Sequence, residues 1–283
     1  MNVLNLFKYY APKYEGVDNL SFYSKRSIYF QKPKEFNDPW DCKAPPITIP
    51  RHINLLKDIW FNMTKQLSPA IAETGWQNIK EKFTRNQTKQ LFDKYFKEVF
   101  ENPRSKIGIF SLSFVPDCEL MWSHYASSHT GYMLHFQIDT DQYYSDSSLK
   151  DVGIPIPVLY RNKREIWKIE NYFADKIRHF NDLIRFKSNA WEYECELRLL
   201  NVDKYGFIKT PSNWLKSIVI GIDTDSKLQD KLKDIGKALN IPVLSSKMNE
   251  KEYKIDIPGL EINGNDGRTR YREEIKSKKY EPK

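Results

Sequence analysis

Two glutamates, Glu194 and Glu196, stand one residue apart in WEYECELRLL, which runs from Trp191 to Leu200. Apolar and charged residues alternate throughout this stretch, a period of two that predicts a strand. Trp191, Tyr193, Cys195, Leu197 and Leu199 would form its core face, with Glu192, Glu194, Glu196 and Arg198 on the other. Two carboxylates so placed lie about 6.5–7 Å apart along the chain. One can hold a sugar hydroxyl while the other acts on a reaction centre, and their mutual repulsion raises one pKa. Lys187 and Arg198 are near enough in sequence to offset that repulsion. A solvated face with cross-strand ion pairs explains the same spacing, and Glu192 is the member expected to be surface alone.

Two further clusters carry polar chemistry. Trp122, Ser123, His124 and Tyr125 follow a predicted strand and precede Gly131. On a helix His124 and Tyr125 point about 100° apart, so they do not share one face. His124 can carry a proton near neutral pH, or be a histidine bonded to a backbone carbonyl. Phe36-Asn37-Asp38-Pro39 reads as a turn, with Asn37 and Asp38 bonding their own backbone and Phe36 and Trp40 anchoring the loop on the core. Such a loop can also form a rigid pocket wall. There is no Walker A loop, GxGxxG, HExxH, GxSxG elbow or kinase signature. His124 and His129 are five apart, off the spacing that sets two imidazoles on one helix face, so no metal is expected.

The elements that must position these residues follow from periodicity. Strands are predicted at 3–10, 28–31, 107–114, 131–138, 154–160, 191–200, 217–222 and 241–246. Helices are predicted through ELMWSHYA (119–126), over 163–187 and at 226–239, with a short one possible within 16–27. Residues 51–100 read as a helical insertion: Trp76, Ile79 and Phe83 recur near 3.6, as do Leu91, Phe92, Tyr95, Phe96, Val99 and Phe100. Strands and helices without a regular βαβ rhythm argue for an α+β (mixed α/β) fold in one domain over 1–262. The charged tail, 263–283, reads as flexible.

The 283 residues can bury a sizeable core without a disulfide or metal staple. Cys42, Cys118 and Cys195 are scattered and odd in number, as expected of reduced core thiols in a cytoplasmic protein. No signal peptide and no membrane span is expected. The net charge of +8 is compatible with an anionic ligand, a nucleotide or nucleic acid among them, as it is with many proteins that bind neither.

KYY (8–10), IYFQKPKEFNDPWDC (28–42), FSLS with MWSHYASSHTGYMLHF (110–136), and Lys187 followed by Trp191, Tyr193, Glu194, Glu196 and Arg198 together resemble the bacterial domain of unknown function 2971 family. The resemblance spans most of residues 5–222. In layout the chain is also similar to the ADP-ribosyltransferase superfamily: a polar first strand, a hydroxyl-bearing middle strand, then an E-x-E strand followed by an I-x-I strand. That likeness implies a central split sheet and NAD as substrate. Lys8 or Tyr9 would hold the dinucleotide, Ser111 or Ser113 would support the nicotinamide ribose, and Glu196, with Glu194 beside it, would stabilise the oxocarbenium-like centre. Lys8, Lys187 or Arg198 would hold the pyrophosphate.

Three functions stay open on the sequence. The first is an NAD-using ADP-ribosyltransferase or glycohydrolase, a toxin or phage-defence effector acting on protein or nucleic acid, with Glu196 as main catalytic residue. The second is a metal-dependent nuclease with Asp38 or Asp41 joining Glu194 and Glu196, and Lys187 nearby. The third is a non-catalytic module in which His124, Tyr125 and Asn37 hold a nucleotide-like signal or a partner.

Overall fold

The run Tyr132–Phe136 is buried at every position, as are Leu4–Phe7 and Ile218–Ile220. Successive strand residues point to opposite faces, so unbroken burial means a sheet covered on both sides. The computed structural model describes residues 3–12, 27–48, 57–58, 60–61, 64, 67–80, 105–146, 149, 152–168, 171, 175–262 and 266–276. In chain order the elements begin with β1 (Val3–Tyr10), β2 (Ser27–Phe30), β3 (Ile47–Thr48), α1 (Pro69–Ile79), β4 (Gly108–Ser113), α2 (Glu119–Tyr125) and β5 (Tyr132–Asp139). Next come α3 (Thr140–Ser145), β6 (Ile154–Pro157), β7 (Leu159–Arg161), β8 (Trp167–Lys168), α4 (Lys176–Arg185) and β9 (Phe186–Ser188). A 3-10 turn (Asn189–Glu194) leads into β10 (Glu196–Asn201), β11 (Gly206–Lys209), β12 (Leu215–Ile220) and α5 (Ser226–Leu239). The last elements are β13 (Val243–Ser245), β14 (Lys247–Met248), β15 (Ile255–Asp256) and α6 (Gly267–Lys276).

Seven strands form one mixed sheet in the order β13-β12-β5-β1-β4-β10-β6, parallel only between β12 and β13. With its helices this makes an α+β fold. β1 pairs with β5 along its whole length, from Val3 opposite Asp139 to Tyr10 opposite Tyr132. Toward β4 it has a single registered pair, Phe7 with Ser113. Beyond it the strands part, and Gln31 pairs with Ile109 instead, through N–H to O bonds of 2.9 and 2.8 Å. The sheet therefore opens beside Lys8–Tyr10.

Local signals explain several boundaries. Asp225 caps α5 by accepting from Leu228 N at 3.0 Å, and Asn240 ends it in the left-handed region. Gly131 links α2 to β5 where a Cβ would lie 2.0 Å from Tyr10 O, so only glycine lets the two chains touch. All three cysteines are buried and free. Among the described residues no helix is long and apolar enough to cross a membrane.

The structure differs from the periodicity in four places. WEYECELRLL is not one strand: Asn189–Glu194 is a 3-10 turn and Cys195 adopts φ 42° before β10 begins. Ser188 caps the turn at Ala190 N, and the Ser113 hydroxyl donates to Glu194 O at 2.6 Å, so tertiary bonds override the alternation. Among the described residues of the stretch 163–187, the helix expected throughout is found as α4 and at Asn171, while Arg164–Ile166 are irregular and Trp167–Lys168 form β8. Trp167 is drawn into pairing with Ile47, and Asp175 caps a later start at Arg178 N. Trp40 is 60% exposed rather than anchored. The tail expected to be flexible contains α6, whose Tyr271 is buried and donates to Val158 O at 2.5 Å. The helix lies so close to Phe114 that a Cβ at Gly267 would come within 1.9 Å of its carbonyl oxygen. Of the proposed insertion, α1 is described. The possible helix within 16–27 and the pattern from Phe83 to Phe100 fall outside the described residues.

Docking of α6 makes Tyr271 part of the core. Tyr271→Ala is expected to lower unfolding stability by about 3 kcal/mol, measured by urea denaturation, because it leaves a cavity where a large ring was packed. A loosely held tail would give no change.

Candidate active site

Three segments meet beneath the opening in the sheet. β9 brings in Lys187, the 3-10 turn brings Glu194, and β10 brings Glu196 and Arg198. Asp41 joins them from the turn after Pro39. Lys187 Nζ lies 2.5 Å from Glu194 Oε2, 3.2 Å from Glu196 Oε2 and 3.6 Å from Asp41 Oδ2. Arg198 donates from Nε to Glu196 Oε1 at 2.8 Å, and from Nη1 and Nη2 to the two oxygens of Asp41 at 2.9 and 2.5 Å. Its Nη1 also donates to Ile184 O at 2.7 Å. Arg198 is 0% exposed, and Asp41, Glu194 and Glu196 are 3–4% exposed.

Three carboxylates thus face two cations, which leaves a surplus negative charge unless one acid keeps its proton. Glu194 is that acid. Burial pushes its pKa up to about 7, the Glu196 charge adds to the effect, and Lys187 opposes it. Glu196 goes the other way. Burial alone would raise it, but the Arg198 guanidinium and the Lys187 ammonium outweigh burial, and a Ser111 hydrogen bond helps, holding it well below the usual carboxylate range. Two adjacent glutamates thereby separate into a fixed anion and a group that titrates near neutrality.

Above the cluster the parted strands form a cleft of about 350 Å³. Glu194, Glu196 and Lys187 form its floor, and Lys8, Ser111 and Ser113 line it from the sheet. His124, Tyr125, Asn37 and Tyr9 complete its lining. The Tyr125 hydroxyl donates to Glu194 Oε1 at 2.5 Å and is hydrogen-bonded by Asn37. His124 is exposed, and its Nδ1 meets the Tyr193 hydroxyl at 2.9 Å, with the Trp191 and Tyr193 rings edge-on at 6.3 and 5.9 Å. Trp191 and Tyr193 are therefore half-buried cleft neighbours, not the core face that alternation predicts. Glu192 is exposed, as expected.

The polar groups on the cleft differ in how free they are. Ser113 is committed to Glu194 O and Val115 N, and Tyr9 donates to Val115 O at 2.7 Å, so both position backbone. Lys8 has no carboxylate within 4 Å among the described residues; its ammonium sits 5.3 Å from the Phe110 ring centre. Burial lowers its pKa to about 8 against the pull of Glu196 and Glu194. Among the described residues that line the cleft, it is a lysine without an ion-pair partner.

Two residues expected in the site stand apart from the cleft. Arg198 lies beneath it, wholly enclosed, and cannot reach a pyrophosphate. Asp38 makes the expected turn, accepting from Trp40 N at 2.9 Å, but lines a neighbouring cavity. Sequence reasoning placed Asp41 only in a metal site, and it missed Tyr160, whose hydroxyl accepts from Glu196 N at 3.0 Å. Arg198 on a mostly apolar strand was the available signal for Asp41, because a guanidinium enclosed there needs a second acid. Nothing in the sequence marks Tyr160. Among the described residues no group of three or more His, Cys, Asp or Glu is arranged to hold a metal ion.

The fold and site define an α+β protein with a cleft opened by parting of its central sheet and floored by a buried ion cluster. Residues 121–199 match the model of the family described as Protein of unknown function (DUF2971). That segment holds His124, Tyr125, Lys187, Glu194, Glu196 and Arg198, while the upstream clusters at 8–10 and 28–42 lie outside it. No curated protein and no solved structure matches the chain.

Removing Arg198 would strand Asp41 and Glu196 without their main counter-charge. Arg198→Ala is expected to cost about 3–5 kcal/mol in chemical denaturation, the scale for breaking a buried pair. The pH dependence has a definite sign. Glu194 binds its proton more tightly folded than unfolded, so its contribution falls as pH rises from about 4.5 to about 7. Between pH 5 and 7.5 the wild type should therefore lose stability relative to Glu194→Gln, read from urea midpoints; parallel curves would contradict the shift.

Proposed function

We propose that the protein breaks a glycosidic C–N bond in an anionic nucleotide, with NAD as the candidate substrate, acting as an ADP-ribosyltransferase or NAD glycohydrolase. One observation carries this reading: a fixed anion and a near-neutral acid share the floor of a single cleft that also holds an amine without a carboxylate partner. Cleaving the bond builds positive charge on the ribose, and an anion beside it stabilises that charge. Glu196, always ionised, supplies the field. Glu194 exchanges a proton with water or an acceptor hydroxyl, Tyr125 and Lys187 holding its two oxygens in place. Lys8 at the cleft wall is suited to a phosphate oxygen.

The roles differ from those the E-x-E pattern implies. Glu196 is held by Arg198, Lys187 and Ser111, so it acts as a charge, and the proton chemistry passes to Glu194. The close engagement of Glu196 also favours a second reading, a nucleotide-binding module without turnover, which uses the same cleft. A metal-dependent nuclease has less support, because a cation would have to displace Lys187 and Arg198 from Asp41, Glu194 and Glu196.

Purified protein incubated with NAD should release nicotinamide. Glu194→Gln is expected to lower kcat by about 10²–10⁴-fold, the usual weight of a general acid or base. Lys8→Met should mainly raise KM. Absence of both nicotinamide release and label transfer to protein or nucleic acid would overturn this reading and favour the binding module.

A further inference from the structure

The turn Asp38–Asp41 separates two cavities. Asp41 lines the cleft, while Asp38 and Trp40 line a second cavity of about 270 Å³, and Lys187 borders both. We infer that this second cavity is a distinct binding site for a nucleoside phosphate. It rests on residues the cleft chemistry does not use, and holds whether or not the cleft turns over NAD.

Asp38 is the first reason. It is 4% exposed; Oδ1 is satisfied by Trp40 N, but Oδ2 is buried with no hydrogen-bond partner. Buried carboxyl oxygens are normally paired, and one left open on a cavity wall is an acceptor awaiting a donor such as a ribose hydroxyl or an amino group. The second reason is charge. Lys43, Lys163 and Arg164 also line the cavity, and none has a carboxylate within 4 Å among the described residues. The acids on the same wall have other neighbours: Glu165 pairs with Arg161, and Asp182 lies 3.9 Å from Arg178. Arg164 donates to Lys43 O and Ala44 O, both at 2.7 Å, which fixes the wall between them. The third reason is Trp40, a residue 60% exposed at the cavity edge despite the cost of a large apolar side chain in water.

A ligand that answers all three has a phosphate for the cations, a donor for Asp38 and a flat face for Trp40. A nucleoside phosphate has each, with base–aromatic stacking supplying the last. A free nucleotide and the terminal nucleotide of a nucleic acid offer the same chemistry.

The test titrates the full chain with AMP, inorganic phosphate and a short single-stranded oligonucleotide, by calorimetry. AMP should bind saturably and at least tenfold more tightly than phosphate. Asp38→Asn and the exposed pair Lys43→Gln with Lys163→Gln should each weaken it about tenfold, while Glu194→Gln leaves it within twofold. Tighter binding of AMP than of the oligonucleotide supports a free nucleotide, and the reverse supports a nucleic-acid end. Equal affinity for phosphate and AMP, no binding of AMP, or loss of binding in Glu194→Gln but not in the surface pair would overturn the assignment. The surface pair keeps the test decisive if Asp38→Asn fails to fold.

Discussion

Arg198 carries its charge on a side chain with no exposed surface. Such a guanidinium survives only if carboxylates surround it in good geometry, because desolvation otherwise exceeds the Coulombic return. Asp41 supplies a two-oxygen contact from the turn, Glu196 a second from the same strand, and Ile184 a backbone carbonyl. Lys187 then balances the acids that Arg198 gathers. The turn after Pro39, the end of α4, β9 and β10 are held together by this one requirement.

The surplus negative charge left over makes the cluster chemically useful. Glu196 is locked between two cations, so the burden of neutralisation falls on Glu194, the acid farther from Arg198. Glu194 is presented by a 3-10 turn, and the Ser113 hydroxyl holds its backbone. Ser113 is also the last residue of β4 paired with β1, so the point where the sheet parts and the point where the titrating acid is fixed coincide. Opening the sheet there exposes the floor to the cleft without breaking the ladders to β5 and β10.

Much of this architecture was legible in the sequence. β1 and α5 lie where periodicity puts them, and local structure explains why: an alternating apolar run in one, and in the other Asp225 and Asn240 at the helix ends. The grouping of Lys8, Asn37, Ser111, His124, Tyr125, Lys187, Glu194 and Glu196 around one cleft also follows the sequence expectation. What escaped was set by distant partners. The break at Cys195 depends on Ser113, some eighty residues upstream. Asn37 and Asp38 are neighbours in the chain yet face different cavities, which no spacing rule reveals. The tail was misread because one buried tyrosine among charges leaves composition almost unchanged, although it docks a whole helix.

Glu194 and Glu196, one residue apart, are shifted in opposite directions from the ordinary carboxylate value. Carbon-13 NMR of glutamate side-chain carboxyls, assigned with Glu194→Gln and Glu196→Gln, measures this directly. The Glu194 resonance should move with a midpoint near pH 7, while that of Glu196 stays in its ionised position down to the acid limit of folding. Midpoints for both at the ordinary value of about 4.3 would contradict this separation.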